Sequence, residues 1–510
     1  MYGKVRSACL NGIEGKEIEV EIDLANGLPQ VNLVGLGDLA IKESVERVRA
    51  AMKNCGFTFP MERITINLAP ADLRKEGTSF DLAIAAGILI TSKQITFAHI
   101  EHTLLLGELA LDGSIRRLPG ILSMVHTAKQ RGVTHIIVPF QNVQEALLIQ
   151  GIQVYGIKNL RELKQLDQIY FQTGEERSNE NRTDSEIETI EDFADVKGQY
   201  QAKRALMIAA AGMHNIILIG PPGTGKTMLI RRLPTIMSKM AEDEALEVTK
   251  IYSAAGMLND QSRLIEQRPF RSPHHTVSAG GLVGGGSIPK PGEVSLAHRG
   301  VLFLDELPEF SRHVLEVLRQ PLEDRIVTIG RARAVYSFPA NFILACSMNP
   351  CPCGFLSADP STQPCICSPL KVHHYRSKLS GPLLDRIDLH IEVVKPDFAA
   401  LSNEEKPLSS AEMRDRVNQA IAIQQQRYMG LNIRFNGDLT GKYLRSFCKL
   451  DSDANKVLEN AFDVLGLSAR AHDRILRISR TIADLEGSPE IHLAHLAEAL
   501  QYRSLDKKIA

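Results

Sequence analysis

Gly220-Pro221-Pro222-Gly223-Thr224-Gly225-Lys226-Thr227 matches the spacing G-x-x-x-x-G-K-[ST] of a phosphate-binding loop. The apolar run Ile216 to Ile219 precedes it and a helical pattern begins at Met228, the context such a loop requires. Glycines let backbone N–H groups wrap phosphates, and a helix N-terminus favours the anion. On this reading all eight residues hold ATP, Lys226 reaches the β- and γ-phosphates, and the Thr227 hydroxyl binds Mg²⁺. Further on, Val301-Leu302-Phe303-Leu304-Asp305-Glu306 ends an apolar strand in two acids. Alone, such a pair marks a solvated turn. After a phosphate-binding loop it places Asp305 beside Mg²⁺ and Glu306 toward an attacking water.

A second chemistry lies in Cys351-Pro352-Cys353 and Cys365-Ile366-Cys367, two C-x-C pairs separated by eleven residues. In extended backbone, residues i and i+2 project to one side, so each pair can offer two thiolates to one ion. Pro350 and Pro352 favour that extended backbone. Four sulfurs suit tetrahedral Zn²⁺ with no open position, which implies a structural site. The usual zinc spacing is C-x-x-C, so reduced thiols and redox chemistry remain alternatives.

These groups need elements to position them. Short apolar strands at Ile216–Ile219, Val301–Leu304 and Phe342–Ala345 alternate with helical stretches, which implies an α/β sheet. Residues 1–168 mix β-branched runs, Glu17 to Asp23 and Arg63 to Leu68, with helical patterns at Leu39–Asn54 and Phe80–Ile90. Residues 169–192 form a polar, acidic linker, and 193–395 a nucleotide-binding core with the cysteine insertion at 351–367. A second linker covers 396–411, and 412–510 is expected to be helical throughout, ending in an amphipathic segment from His492 to Leu500. At 510 residues, with 44% hydrophobic and 23% charged, the chain excludes a disordered or collagen-like protein. The start lacks a secretory pattern and no apolar run is long enough for a membrane helix, so a cytoplasmic location without membrane contact is expected. The net charge of -1 counts against an isolated DNA-binding module, but not against a ring whose basic channel is offset by outer acids.

GPPGTGKT, LFLDE and Cys346-Ser347-Met348-Asn349-Pro350 together resemble an AAA+ ATPase. Ala297-His298-Arg299-Gly300 and Ser380-Gly381-Pro382-Leu383-Leu384-Asp385-Arg386-Ile387-Asp388 resemble its magnesium-chelatase-like branch and the minichromosome-maintenance helicases. As a whole, the chain is similar to the ComM/YifB family of bacterial proteins. The resemblance implies a fold in which an α+β Lon-protease-like domain of the ribosomal protein S5 type precedes an α/β AAA+ P-loop domain with a helical lid. It puts Asn349 at sensor 1, Arg386 at an arginine finger supplied to a neighbouring subunit, Arg470 at sensor 2, and Phe193 to Gln199 beside the adenine. Asn67 to Leu82 resembles the Lon-like fold, with Ser79 where Lon proteases carry their nucleophile. The matching stretch Arg117 to Met124 has no lysine before Lys129, so the domain is read as a binding or ring-stabilising module.

The reading that follows is a homo-hexameric motor coupling ATP hydrolysis to movement of single-stranded and branched DNA. The resemblance adds branch migration of incoming DNA in natural transformation, alongside recombination proteins. A long Gly-rich loop, Arg271 to Gly292, and a hairpin, Ile326 to Phe338, would face the DNA. On that hairpin Arg331 and Arg333 are two apart, so both guanidinium groups would leave one face of a strand toward phosphates. The competing reading is a chelatase-like motor that remodels a protein partner, which would need that partner and not DNA.

Overall fold

The structure, a computed structural model, describes residues 1–35, 39–71, 75, 77–168, 171–173, 191–258, 263–331, 334–356, 364–395, 407–465 and 467–503. Most of both linkers, Arg333, and the centre of the cysteine insertion lie outside the described residues.

The long strand Glu14–Ala25 buries Ile18, Val20, Ile22 and Leu24, the period of two expected of a half-covered strand. It pairs antiparallel with Tyr2–Asn11 and Arg63–Ala69, inside a mixed eight-stranded sheet. Helices cover both faces of that sheet. Leu105 and Ile137 pack with the helices Leu39–Asn54 and Asp81–Thr91, whereas their neighbours Leu104 and Ile136 pack with Ile121–Gln130. The helix Asp81–Thr91 is apolar on every side and buried almost throughout, as its composition requires. Asp81 itself is buried and paired with Arg47 at 2.8 Å.

The second sheet has five parallel strands in the order Phe270–Arg271, Val301–Leu304, Ile343–Met348, Ile216–Ile219, Leu389–Glu392. Its central strands are buried on both faces and read as continuous apolar runs. The strand order reverses between Ile216–Ile219 and its neighbour Ile343–Met348, so the carboxyl ends of these two strands flank the crevice where ligands bind in such sheets. Beyond residue 407 the described residues form helices, Ser410–Arg427, Gly441–Phe447, Ser452–Leu465, Ala469–Leu485 and Leu493–Gln501, as expected. They share one apolar core with the helix Tyr200–Gly212 and one face of the parallel sheet.

Two expectations need correction. The segment from Arg271 to Gly292 is not one long loop. Ser278 caps a short helix, Ala279–Val283, by accepting the Gly281 N–H at 3.0 Å, and Gly284–Gly285 pairs with Lys290–Pro291. The hairpin beyond it forms as expected, Ile326–Arg331 against Ala334–Pro339, and Arg331 bonds the Gly286 carbonyl at 2.6 Å. The first cysteine pair is also not extended: Gly354 N–H bonds the Cys351 carbonyl at 2.9 Å, closing a turn. Proline at the second position of a turn is pre-set for it, and Gly354, at φ +88°, supplies the left-handed residue that ends it.

The two sheets are joined through the helix Glu242–Ala255. Its Ser253 donates to buried Glu145 of the N-terminal region and its Ser253 carbonyl accepts the Gly120 N–H at 3.0 Å. Lys250 lies 2.9 Å from His126, and Arg117 reaches the Leu258 carbonyl. The N-terminal turn also touches the region of the parallel sheet, where Ile13 packs against the core under the hairpin.

Candidate functional site

The phosphate-binding loop leaves the strand Ile216–Ile219 and enters the helix Lys226–Arg231. Gly223 and Gly225 have φ of +78° and +85°, a region that side chains disfavour, so glycine is required at both. Thr224 closes the loop on itself by donating to the Pro221 carbonyl at 2.9 Å. The ammonium of Lys226 donates to the carbonyls of Gly220 (2.7 Å) and Pro221 (2.9 Å) and to Oδ1 of Asn349 (3.2 Å). Burial pushes its pKa down, and Asp305 and Glu306 pull it back up. Gln199, at the end of FADVKGQ, donates to the Thr224 carbonyl at 3.3 Å and so touches the loop directly.

Parallel pairing of Val301–Leu304 with Ile343–Met348 puts Leu304 beside Cys346, which leaves Asp305 next to Ser347. The Asp305 carboxylate accepts from Thr227 Oγ1 at 3.0 Å, from Ser347, and from the Glu306 N–H at 3.1 Å. Glu306 has φ +52°, so the chain turns sharply at the strand end and the second carboxylate does not follow the first. It remains exposed and lines a cavity of about 720 Å³ together with Asn349, Pro352, Lys371 and Tyr375. Lys226, Thr227, Asp305 and Asn349 thus converge, with Glu306 adjoining them.

Arg386 and Arg470 lie apart from this group. Arg386 is nearly buried, donates to the Pro382 carbonyl at 2.7 Å and is paired with Glu323. Arg470 is exposed and lies 3.8 Å from the same Glu323 carboxylate. Among the described residues neither arginine bonds the phosphate-binding loop. The sulfurs of Cys351, Cys353, Cys365 and Cys367 all lie within 4.8 Å of one another. Ser79 is buried and donates to the Ala8 carbonyl at 3.1 Å, so its proton is engaged by a backbone acceptor and not by a base. Arg331 ends its strand, opposite Ala334; Arg333 lies outside the described residues. Sequence reasoning missed Ser347 and Glu323. The first lies inside a quoted motif and could have been reached from strand pairing; the second carries no local signal.

This arrangement has relatives. The family model for magnesium chelatase, subunit ChlI, matches residues 192–401, with its C-terminal model matching 407–503 and a further model for subunit ChlI of Mg-chelatase matching 20–142. Competence protein ComM of Haemophilus influenzae is 43% identical over 510 residues, covering 98% of this chain and 97% of the relative. The chain belongs to the ComM/YifB family. An uncharacterized protein YifB of Escherichia coli is 42% identical, covering 97% of this chain and 96% of that protein. Lon protease 2 of Bacillus subtilis is 29% identical over 170 residues, 30% of each chain, in the N-terminal region. Family membership gives a magnesium-chelatase-like AAA+ fold with a Lon-like N-terminal region, and implies an ATPase that uses ATP and Mg²⁺. The residues fit both: a glycine cradle with a buried lysine suits phosphates, and the hard oxygens of Thr227 and Asp305 suit Mg²⁺. No helix among the described residues is long and apolar enough to cross a membrane.

Proposed function

We propose that the protein is an ATP-driven DNA motor of hexameric form that promotes integration of incoming DNA in natural transformation. The observation that carries this reading is full-length similarity to a protein named for competence, around an intact nucleotide-binding arrangement. In the proposed cycle the loop from Gly220 to Thr227 cradles the phosphates and Lys226 neutralises them. Thr227 and Asp305 hold Mg²⁺, which when bound offsets charge on the phosphate oxygens. Glu306 takes the proton of the attacking water, and Asn349 orients that water. Arg386 acts on the neighbouring subunit's nucleotide, and Arg470 responds to its own. Arg331 and Arg333 contact DNA phosphates, and DNA, further copies of the chain and recombination proteins are its partners. The four cysteines hold one Zn²⁺.

Support for the DNA contact comes from the hairpin Ile326–Arg331 and Ala334–Pro339, which follows the Asp305 strand and precedes the Asn349 strand in the chain and which Arg331 ties to the glycine segment at the Gly286 carbonyl. A second reading is favoured by the three magnesium-chelatase models: a motor that remodels a protein partner. One assay separates them. ATP turnover is measured alone, with single-stranded DNA and with branched DNA. Stimulation by DNA, lost when Arg331 and Arg333 are both changed to Ala, supports the DNA motor; turnover indifferent to DNA overturns it in favour of the partner-driven reading.

A further inference from the structure

The cysteine cluster does not stand off from the nucleotide site. Its first pair begins two residues after Asn349, at the end of the strand Ile343–Met348. The turn it forms lies against the phosphate-binding loop: a Cβ placed on Gly354 would come within 2.6 Å of Cδ of Pro222. Its second pair runs straight into the helix Pro369–Arg376, capped by Ser368. That helix supplies Lys371 and Tyr375 to the cavity beside Glu306, and its Arg376 donates to the Pro350 carbonyl at 3.2 Å. The cluster therefore ties one wall of the site, the sensor strand end and the turn on Pro222, to the other wall, the helix.

Four sulfurs at this spacing are ligands for a soft, tetrahedral ion such as Zn²⁺. Binding replaces the thiol protons, which pass to solvent, and closes the eleven-residue segment between the pairs into a loop. Among the described residues the two pairs already touch: the sulfurs of Cys351 and Cys353 lie 3.7 and 3.6 Å from that of Cys365, and the backbone N–H groups of Ile366 and Cys353 bond the sulfurs of Cys353 and Cys367. A bound ion adds four metal–sulfur bonds to these weak contacts.

We propose that metal held by Cys351, Cys353, Cys365 and Cys367 and nucleotide held by the phosphate-binding loop stabilise each other through the Gly354–Pro222 contact and the helix Pro369–Arg376. The proposal rests on the zinc reading above. Its thermodynamic signature is reciprocity: whatever factor nucleotide contributes to metal retention, metal contributes to nucleotide affinity.

The test uses the full-length protein as purified. Its zinc content is measured first; a chain without zinc removes the zinc reading itself. On zinc-loaded protein, transfer of the metal to a zinc-selective chelator is followed with and without saturating ATPγS and Mg²⁺. Nucleotide is expected to slow release by about five-fold or more. No protection is expected in Lys226→Ala, which cannot hold the nucleotide, and reduced protection in Pro222→Ala, which keeps the cysteines but loses the contact. Binding of a fluorescent ATP analogue to the metal-depleted protein, with its helical circular dichroism checked, should weaken correspondingly. Zinc-loaded protein that releases metal at the same rate with and without nucleotide overturns the coupling while leaving the zinc site standing.

Discussion

Ser347 receives little attention in the sequence, yet its hydroxyl donates to Asp305 and stands 3.4 Å from the Glu306 N–H. Removing it leaves a carboxylate without one of its donors, and hydrogen bonds to charged groups contribute about 1.5–3 kcal/mol. Ser347→Ala is therefore expected to lower ATP turnover by about ten-fold or more with the fold intact, read by steady-state kinetics across Mg²⁺ concentrations; unchanged turnover would show that Asp305 needs no help. Glu323 makes the opposite kind of contribution. One carboxylate engages both Arg386 and Arg470 within the same chain. If Arg386 serves a neighbour, Glu323 competes for it. Glu323→Gln should raise turnover most at low protein concentration, where neighbours are scarce, and Arg386→Ala should lower it by about 10³-fold at high protein concentration, where neighbours are present, and by less on dilution. A concentration profile identical to the wild type would remove Glu323 from that role. The contrast shows what was legible. Lys226, Thr227 and Asp305 follow from local spacing because a loop and a strand end carry them. Ser347 depends on which strand lies beside which, and Glu323 on a long-range approach, neither of which is written in any short window.

The lid helix Ala469–Leu485 meets the core at a histidine. His214, fully buried behind the first strand of the parallel sheet, bonds Thr481 of that helix at 2.8 Å and lies 3.8 Å from Asp388. Burial lowers its pKa to about 4, with Asp388 opposing that and Arg477, Arg325 and Arg474 adding to it. The folded pKa is thus below the unfolded value, so the unfolded chain binds more protons between the two. Stability is complete above about pH 6.5 and is lost as pH falls toward 4, by about 2 kcal/mol between pH 7 and pH 5. Urea midpoints at those two pH values should fall further for the wild type than for His214→Gln, and equal falls would show that this histidine does not set the acid sensitivity. Elements of this kind were partly readable. The helix Leu39–Asn54 and the strand Ile216–Ile219 have the bounds their patterns imply, because an amphipathic face or a buried run dictates them. The glycine segment and the first cysteine pair were misread because turns, caps and left-handed residues are set by single positions and carry no periodic signal.

Across the whole molecule, the helix Glu242–Ala255 serves every part at once. Ser253 and Lys250 face the N-terminal region. Glu247 lies 2.9 Å from His298 Nε2 and accepts from Arg299 at 3.1 Å; burial works against its ionisation, but His298 and Arg299 hold its pKa down at about 2. Glu244 meets Arg268 at 3.3 Å, and Arg434 from the C-terminal helical part reaches both Asp243 and Glu244. These contacts join the N-terminal region to the rest of the molecule independently of the covalent connection through residues 174–190. A chain nicked there by a protease should run as two bands under denaturing conditions and yet co-elute as one species in a native column. Fragments that drift apart on that column would mean the contacts are too weak to act alone. Fragments that stay together would let either half be isotopically labelled and recombined, with the ATPase half reporting by its own turnover on every change made in the other.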